Sequence, residues 1–190
     1  MGLLDAFRKD EVLKTKVLVC AMDAKFDDLR KNDERVYKRF YPSTTSVALS
    51  TAGDFRTVLA EQFDIVHLFC DVDAQGGVAD LTGSRSNGAE LLQACLEGGV
   101  KLLWIASDNF AEPYNAGFKA KGMKMNVILT ERRLGPNFSL FLDALLTKLS
   151  AGEPFAKAWD VVSKPAGKSV QPDVPHTITS LGRGGVILRP

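Results

Sequence analysis

The sequence predicts an α/β fold in which helices cover both faces of a mostly parallel sheet. Two short apolar runs, 65–70 and 101–106, end abruptly in polar residues, which is typical of strands buried on both faces. Between these runs, residues 87–97 carry apolar side chains at helical spacing. Strands and helices alternate along the chain, and this alternation favours parallel strands joined by right-handed crossovers. We therefore expect a three-layer α/β sandwich.

The composition indicates one domain over residues 1–190 and excludes several classes of function. Hydrophobic residues make up 45% of the chain, which is enough to build a sizeable core. The formal net charge of +1 gives no general attraction for nucleic acid or for a membrane surface. The apolar runs are much shorter than the ~20 residues of a membrane-spanning helix. We expect neither nucleic acid nor a membrane as a partner.

The cysteines and histidines indicate a reduced protein without a cofactor. The three cysteines are odd in number and stand in predicted strands or a helix, which is typical of core residues in a cytoplasmic protein. The two histidines and these cysteines show no metal-ligand spacing. We therefore expect a cytoplasmic location and no cofactor.

Five strands are predicted, each a short run of aliphatic or aromatic residues bounded by polar ones. They cover 16–21, 47–50, 65–70, 101–106 and 125–129. The doubly wound arrangement places them in the spatial order 2-1-3-4-5. The third and fourth strands are then neighbours, and both end at the edge where open α/β folds bind ligands.

The helices are predicted from apolar side chains spaced three and four residues apart and from residues that start a helix. Thr51 with Asp54, and Asn87 with Glu90, form N-terminal capping patterns. The predicted helices cover 27–40, the residues that follow Thr51, 87–97, 110–121, 138–149 and 154–162.

Three segments lie outside these elements. The loop over 71–86 is long for a strand-to-helix connection, where ~2–6 residues are usual, and it contains several glycines. Because it lies at the ligand-binding edge, it is either functional or a disordered insertion, and both interpretations stay open. The segment 164–176 contains three prolines and is predicted to be a flexible loop. Residues 1–14 form a short amphipathic lead-in.

The order of elements and several local sequences resemble the caspase-like CHAT peptidase domains, which belong with caspases, gingipains and separases. The resemblance spans roughly residues 16–188 and is carried by the runs at 64–70, 88–92, 102–107 and 152–159. It implies a caspase-like sheet in the order 2-1-3-4-5-6, with residues 185–188 as the last strand. It also implies a general-base His after strand three and a nucleophilic Cys after strand four.

Both catalytic positions depart from this family. Asp71 stands where the His is expected, and Ser107 stands where the Cys is expected. A hydroxyl is a weaker nucleophile than a thiolate and depends more on a base, and a carboxylate beside it would repel an oxyanion. The segment 130–136 also lacks the family's Trp-Pro. The resemblance therefore implies a pseudopeptidase with no intact catalytic residue, which acts as a regulatory or scaffolding domain and binds a protein or peptide.

Polar residues around the degenerate dyad are the candidates for such binding. They either contact the partner directly or are ordinary strand-end and surface residues without a function. Arginines among them could hold an acidic group of the partner through two parallel hydrogen bonds. The candidates are Asp71, Ser107, Asp108, Asn109, Arg85 and Arg132.

Two other functions stay open. An active peptidase or other hydrolase would have to recruit Ser107 or Cys70, but a thiol inside a doubly buried strand is inert. His67 stands on the same strand and is expected to be neutral and hydrogen-bonded. A receiver-like switch domain would bind Mg²⁺ through carboxylates that follow the strands, but the Lys expected after strand five is absent. Its ligands would be Asp23, Asp71 and Asp108, and Asp73 is a further carboxylate that follows the same strand as Asp71.

Overall fold

Alternating apolar strands and amphipathic helices build a six-stranded sheet with helices on both faces. The structure is a computed structural model that describes residues 14–73, 75–107, 125–132, 138–164, 176–181, 188 and 190. The strands are β1 (Val17–Ala21), β2 (Thr44–Ala48), β3 (Ile65–Phe69), β4 (Asp71–Val72), β5 (Gly77–Ala79), β6 (Arg85–Asn87), β7 (Leu102–Ala106), β8 (Asn126–Arg132) and β9 (His176–Leu181). The helices are α1 (Asp27–Phe40), α2 (Ala52–Leu59), α3 (Gly88–Glu97), α4 (Phe138–Ser150) and α5 (Phe155–Val162), with a 3₁₀ turn at Ala24–Phe26.

The main sheet has the strand order β2-β1-β3-β7-β8-β9, and only β9 runs antiparallel to its neighbour. This order confirms the predicted three-layer α/β fold with a mostly parallel sheet. Alternate side chains of the central strands enter two separate cores. One core lies under α2 and α3, and the other lies under α1, α4 and α5. No helix within the described residues has both the length and the apolar character needed to cross a membrane.

The position of the last strand was predicted wrongly. The strand beyond β8 is β9, at 176–181, whereas the sequence interpretation placed it at 185–188. An edge strand pairs on one side and needs fewer apolar residues, so the polar alternation of His176–Leu181 did not indicate a strand. Leu188 is buried outside any strand, and its carbonyl accepts a hydrogen bond from the Tyr41 hydroxyl at 3.1 Å. Residues 185–187, the predicted helix at 110–121 and the loop residues 165–175 lie outside the described residues.

The long loop over 71–86 contains a second sheet that the sequence did not predict. Strands β4, β5 and β6 pair antiparallel in that order. Asp73 accepts the N–H groups of Gln75 and Gly77, and Asp80 accepts those of Thr82 and Ser84. The glycines that complete the two turns, at positions 76 and 83, have φ angles of 81° and 77°. This repeated Asp-x-x-Gly pattern is the signal that predicts such turns.

The N-terminus of α2 follows the predicted capping pattern. The Thr51 hydroxyl accepts the Asp54 N–H at 3.1 Å, and the Asp54 carboxylate accepts the Thr51 N–H at 2.9 Å. The cap lets α2 begin directly after β2 and cover one face of the sheet. At the start of α3, Asn87 accepts the Ala89 N–H, whereas Glu90 pairs with Arg56 across to α2.

We predict that Thr51→Ala lowers the free energy of unfolding by about 1 kcal/mol, because the Asp54 N–H loses its acceptor, while the Asp54 carboxylate still accepts the backbone N–H of residue 51. Urea denaturation followed by circular dichroism measures the change. Thr57→Ala is the matched control, since its hydroxyl only bonds back to the Gly53 carbonyl within the same helix. This variant should be neutral or slightly stabilising, and equal losses in both variants would contradict the role of the cap.

Candidate functional site

The carboxyl ends of β3 and β7 bring Asp71 and Ser107, the positions at which the sequence analysis expected catalytic residues, to one edge of the sheet. Phe69 pairs with Ala106 at the end of the parallel ladder, and the Cys70 N–H donates to the Ala106 carbonyl at 3.1 Å. Asp71 and Ser107 follow immediately. The chain leaves the main sheet at this point, so both side chains lie where the backbone changes direction.

Ser107 is buried, with 5% of its surface exposed, and its hydroxyl oxygen accepts a backbone hydrogen bond. Its Oγ accepts a hydrogen bond from the Val72 N–H at 3.3 Å. Val72 is the second residue of β4, so this contact joins the end of β7 to the first strand of the small sheet. The hydroxyl therefore has a structural partner at the position where a nucleophile is expected.

Asp71 turns its carboxylate toward the β1–α1 connection. Its Oδ2 lies 2.6 Å from the Lys25 ammonium, which also lies 4.7 Å from the centre of the Phe26 ring. Asp23 caps the 3₁₀ turn by accepting the Lys25 N–H at 2.9 Å and so holds Lys25 in place. The side chain of Lys25 is 42% exposed and that of Asp71 is 33% exposed. Solvent therefore screens the ion pair, and it adds at most about 1 kcal/mol to stability.

The small sheet places Asp71 and Arg85 on one surface. Asp71 is opposite Ala79, and Ala79 is opposite Arg85, so these three side chains project from the same face. On the other face, Val72 and Val78 are buried in the core beneath α2 and α3. Arg85 is exposed and pairs with Asp73 at 3.0 Å. We call the outward face, with Asp71, Asp73, Ala79 and Arg85, the polar platform.

The structure does not describe the side chains of the other three binding candidates. Asp108 and Asn109 lie outside the described residues, and Arg132 lies in β8 with its side chain outside the described part. The platform thus brings together two of the six candidates, with Ser107 beneath them. Asp73 is a platform residue that the sequence analysis named only as a carboxylate near a possible Mg²⁺ site, not as a partner-binding candidate. Its signal was the Asp-x-x-Gly turn.

The Mg²⁺ alternative gains no support from the placed carboxylates. Asp23 caps the 3₁₀ turn, Asp71 pairs with Lys25, and the third predicted ligand, Asp108, lies outside the described residues. Among the residues that are described, no group of three or more His, Cys, Asp or Glu side chains could hold a metal ion. The receiver-like switch stays an untested prediction.

Cys70 is fully buried in the core between the sheet and α2 and α3. Burial raises the pKa of its thiol well above the ordinary range, and the neighbouring Asp71 carboxylate raises it further. A reactive cysteine needs a lowered pKa and access to solvent, and this position has neither. The geometry therefore opposes the alternative in which Cys70 is a displaced nucleophile.

His67 lies in the opposite core, away from the strand ends. Its ring stacks between those of Phe69 and Trp104, with centroids 4.5 and 4.9 Å apart, and its Nδ1 lies 3.7 Å from an Asp33 carboxylate oxygen. Asp33 comes from α1, is itself buried and was not predicted. A single Asp within the apolar stripe of an amphipathic helix was the signal for it.

Among the comparisons with known proteins, the one with solved structures found matches. No protein-family model and no curated protein matches the chain. Eleven chains of solved structures do match. One of them, the structure of pro-sf-caspase-1, is 12% identical to this chain, with a TM-score of 0.49, and the match covers 87% of this chain and 90% of that chain. The three-layer fold itself rests on the order of the strands in the sheet.

We predict that the three free cysteines are inert toward a thiol reagent such as DTNB at about pH 8, where an ordinary thiol is partly ionised. Burial raises the pKa of Cys95 to about 12 and raises those of Cys20 and Cys70 well above their usual value. The same reagent should titrate all three thiols after unfolding in guanidinium. Rapid labelling of native Cys70 would contradict this prediction and would favour the hydrolase alternative.

The raised pKa values of the thiols also determine how the free energy of unfolding changes with pH. Below about pH 8.5 the thiols are protonated in both states, so their contribution to stability is complete. Above it the unfolded chain releases protons that the native chain retains, and the free energy of unfolding falls as pH rises. Urea denaturation at a series of alkaline pH values measures this loss.

Proposed function

We propose that this chain is a caspase-like, CHAT-type domain without peptidase activity that binds a protein or peptide through the polar platform. The proposal rests on one observation: the side chains of Ser107 and Asp71, at the two dyad positions, both make structural contacts. Ser107 accepts a backbone N–H, and Asp71 pairs with Lys25. A serine nucleophile needs a base within hydrogen-bonding distance of its Oγ, and the carboxylate next to it is held by another partner.

The polar platform supports the binding part of the proposal. It presents carboxylates and a guanidinium on one face of a sheet whose other face is anchored in the core. Strand spacing of ~4.8 Å places the backbones of Asp71 and Arg85 roughly 10 Å apart, across the intervening β5. A peptide with a basic group and an acidic group at matching separation would complement this pattern.

The hydrolase alternative has no observation in its favour. Ser107 is almost completely buried, and Cys70 lacks both exposure and a lowered pKa. The receiver-like alternative depends on Asp108, which is outside the described residues. The non-catalytic binding domain is therefore the function that the geometry supports best.

We predict that the purified protein cleaves no peptide in a mixed library above the buffer rate, and that serine-directed probes do not label residue 107. General acid–base help, worth about 10²–10⁴-fold, is absent without a base next to the hydroxyl. Ser107→Ala is the matched control and should leave the result unchanged. Cleavage by the unmodified chain that stops in Ser107→Ala would replace this proposal by the hydrolase alternative.

We predict that peptides selected on the full-length chain by display depend on the polar platform. Arg85→Ala or Asp71→Ala should weaken such a peptide about fivefold or more, because each removes a charged anchor of the interface. Arg35→Ala is the matched control, since Arg35 is an exposed arginine on α1. Isothermal titration calorimetry measures the affinities. Selected peptides that tolerate both platform variants would show that binding occurs elsewhere.

A further inference from the structure

The strand β2 lies at an edge of the main sheet and lacks the features that usually protect such an edge. No strand among the residues that the structure describes pairs with its outer side. Protected edges usually carry a charged side chain, a proline or a bulge. Residues 43–53 include no charged residue and no proline, and β2 pairs with β1 in unbroken register. β2 is therefore a regular, uncharged strand with an open edge.

Every second residue of β2 directs its backbone groups away from the sheet. Just after β2, the Leu49 N–H donates to the Ala21 carbonyl at 2.8 Å. Because successive residues of a parallel strand bond alternately to its two sides, the odd-numbered residues of β2 bond to β1. Thr44, Ser46 and Ala48 then direct their backbone groups outward. A second strand can pair with these three positions and leave the sheet undisturbed.

The strand is self-complementary about its central residue, Ser46. Two copies of β2 that pair antiparallel around a twofold axis at Ser46 place Thr45 of one copy opposite Val47 of the other. In the single chain Thr45 is exposed and Val47 is half-buried. Opposed β-branched side chains stabilise antiparallel strands, and this pair occurs twice in such a dimer.

Helix α1 carries a row of charged residues on the side that faces the open edge. Arg30 donates to the Ser46 hydroxyl of β2. The Lys38 ammonium and the Ser46 hydroxyl hold the pKa of the Glu34 carboxyl below its usual value. Another side of α1 packs against α4. We call Asp27, Arg30, Lys31, Glu34 and Lys38 the α1 charge row, whose members are linked by ion pairs.

The α1 charge row has a sign pattern that a second, antiparallel copy would match. The contacts of Ser46 place the twofold axis near the middle of the row. Lys31 then lies near Glu34 of the other copy. At the ends of the row, Asp27 lies near Lys38 of the other copy. A carboxylate has two oxygens and an ammonium has three donors, so these contacts add to the ion pairs within each helix.

The spacing of the elements also fits this arrangement. Helix α1 packs on both β1 and β2. With strands ~4.8 Å apart, a helix above the middle of this pair lies about 5 Å from a twofold axis at the outer side of β2. The two copies of α1 are then about 10 Å apart, which is a usual distance between packed helices.

We propose that the chain forms a homodimer in which two copies of β2 pair antiparallel and join the two six-stranded sheets into one. Lys31 of each copy contacts Glu34 of the other copy. This inference goes beyond the proposed function, because β2 belongs to the edge of the main sheet, whereas the polar platform is built on the small sheet. Antiparallel pairing reverses the second copy, so the two platforms face opposite ends of the dimer.

Sedimentation velocity of the full-length chain at a series of concentrations tests the charge contacts. The unmodified chain should associate in the micromolar range. Lys31→Glu and Glu34→Lys should each weaken association about tenfold or more, because each variant places like charges opposite one another twice. An equimolar mixture of the two variants should recover association, since the heterodimer restores opposite charges at both contacts. A change in the stability of either chain cannot produce this recovery, and a mixture that stays monomeric would contradict the proposed register.

Ala48→Pro tests the strand pairing. It removes an outward N–H and leaves the bonds between β2 and β1 in place, so association should weaken about tenfold or more. Ala48→Ser is the matched control, since it keeps the N–H at an exposed position and should associate like the unmodified chain.

Two results would overturn the proposal. One is an unmodified chain that stays monomeric at about 200 µM. The other is a dimer that tolerates Ala48→Pro and both charge variants, which would show that the copies meet at another surface. Peptide binding to the polar platform depends on none of these positions, so failure here is distinct from failure of the proposed function.

Discussion

Burial of both faces of β3 and β7 is the constraint on which the rest of the structure depends. Alternate side chains enter different layers, so Leu68 packs in the core of α2 and α3 while Phe69 packs in the core of α1 and α4. Neither face tolerates water, and helices must therefore cover both and return the chain to the same edge after each strand. The parallel strands consequently end together, and the polar residues after them meet whether or not they form a catalytic centre.

The strand ends show how the backbone can use a residue that a peptidase would use for chemistry. After Cys70 donates to the Ala106 carbonyl, the Val72 N–H is buried beyond the ladder and needs an acceptor. A buried N–H left without one costs about 1–3 kcal/mol. The Ser107 hydroxyl accepts it, and a thiol at that position would be a weaker acceptor. Serine at this position thus gives the small sheet a better hydrogen-bond acceptor than a cysteine would.

The parts of the fold that depend on local sequence were predictable, and those that depend on distant partners were not. The central strands and the cap of α2 follow from apolar runs and from the pair Thr51 and Asp54. The strand β9 did not, because an edge strand is held by backbone pairing with β8 and has little apolar signal. Asp33 beside His67 was also missed, since only the packing of α1 on the sheet brings the two together. At the site, the positions of Asp71 and Ser107 were predictable from the crossover, but their partners Lys25 and the Val72 N–H come from other parts of the chain.

The small sheet links the core to the candidate site. Its inner valines, Val72 and Val78, are buried with the residues of α2 and α3, while its outer face carries Asp71 and Arg85. A surface anchored in this way loses little conformational freedom when a partner binds, so more of the contact energy is available for affinity. The same anchoring fixes the distance between the backbones that carry the carboxylate and the guanidinium, which limits the charge spacing that a partner can match. The core beneath the small sheet therefore holds the backbone of this polar surface in place, independently of what chemistry the strand ends carry.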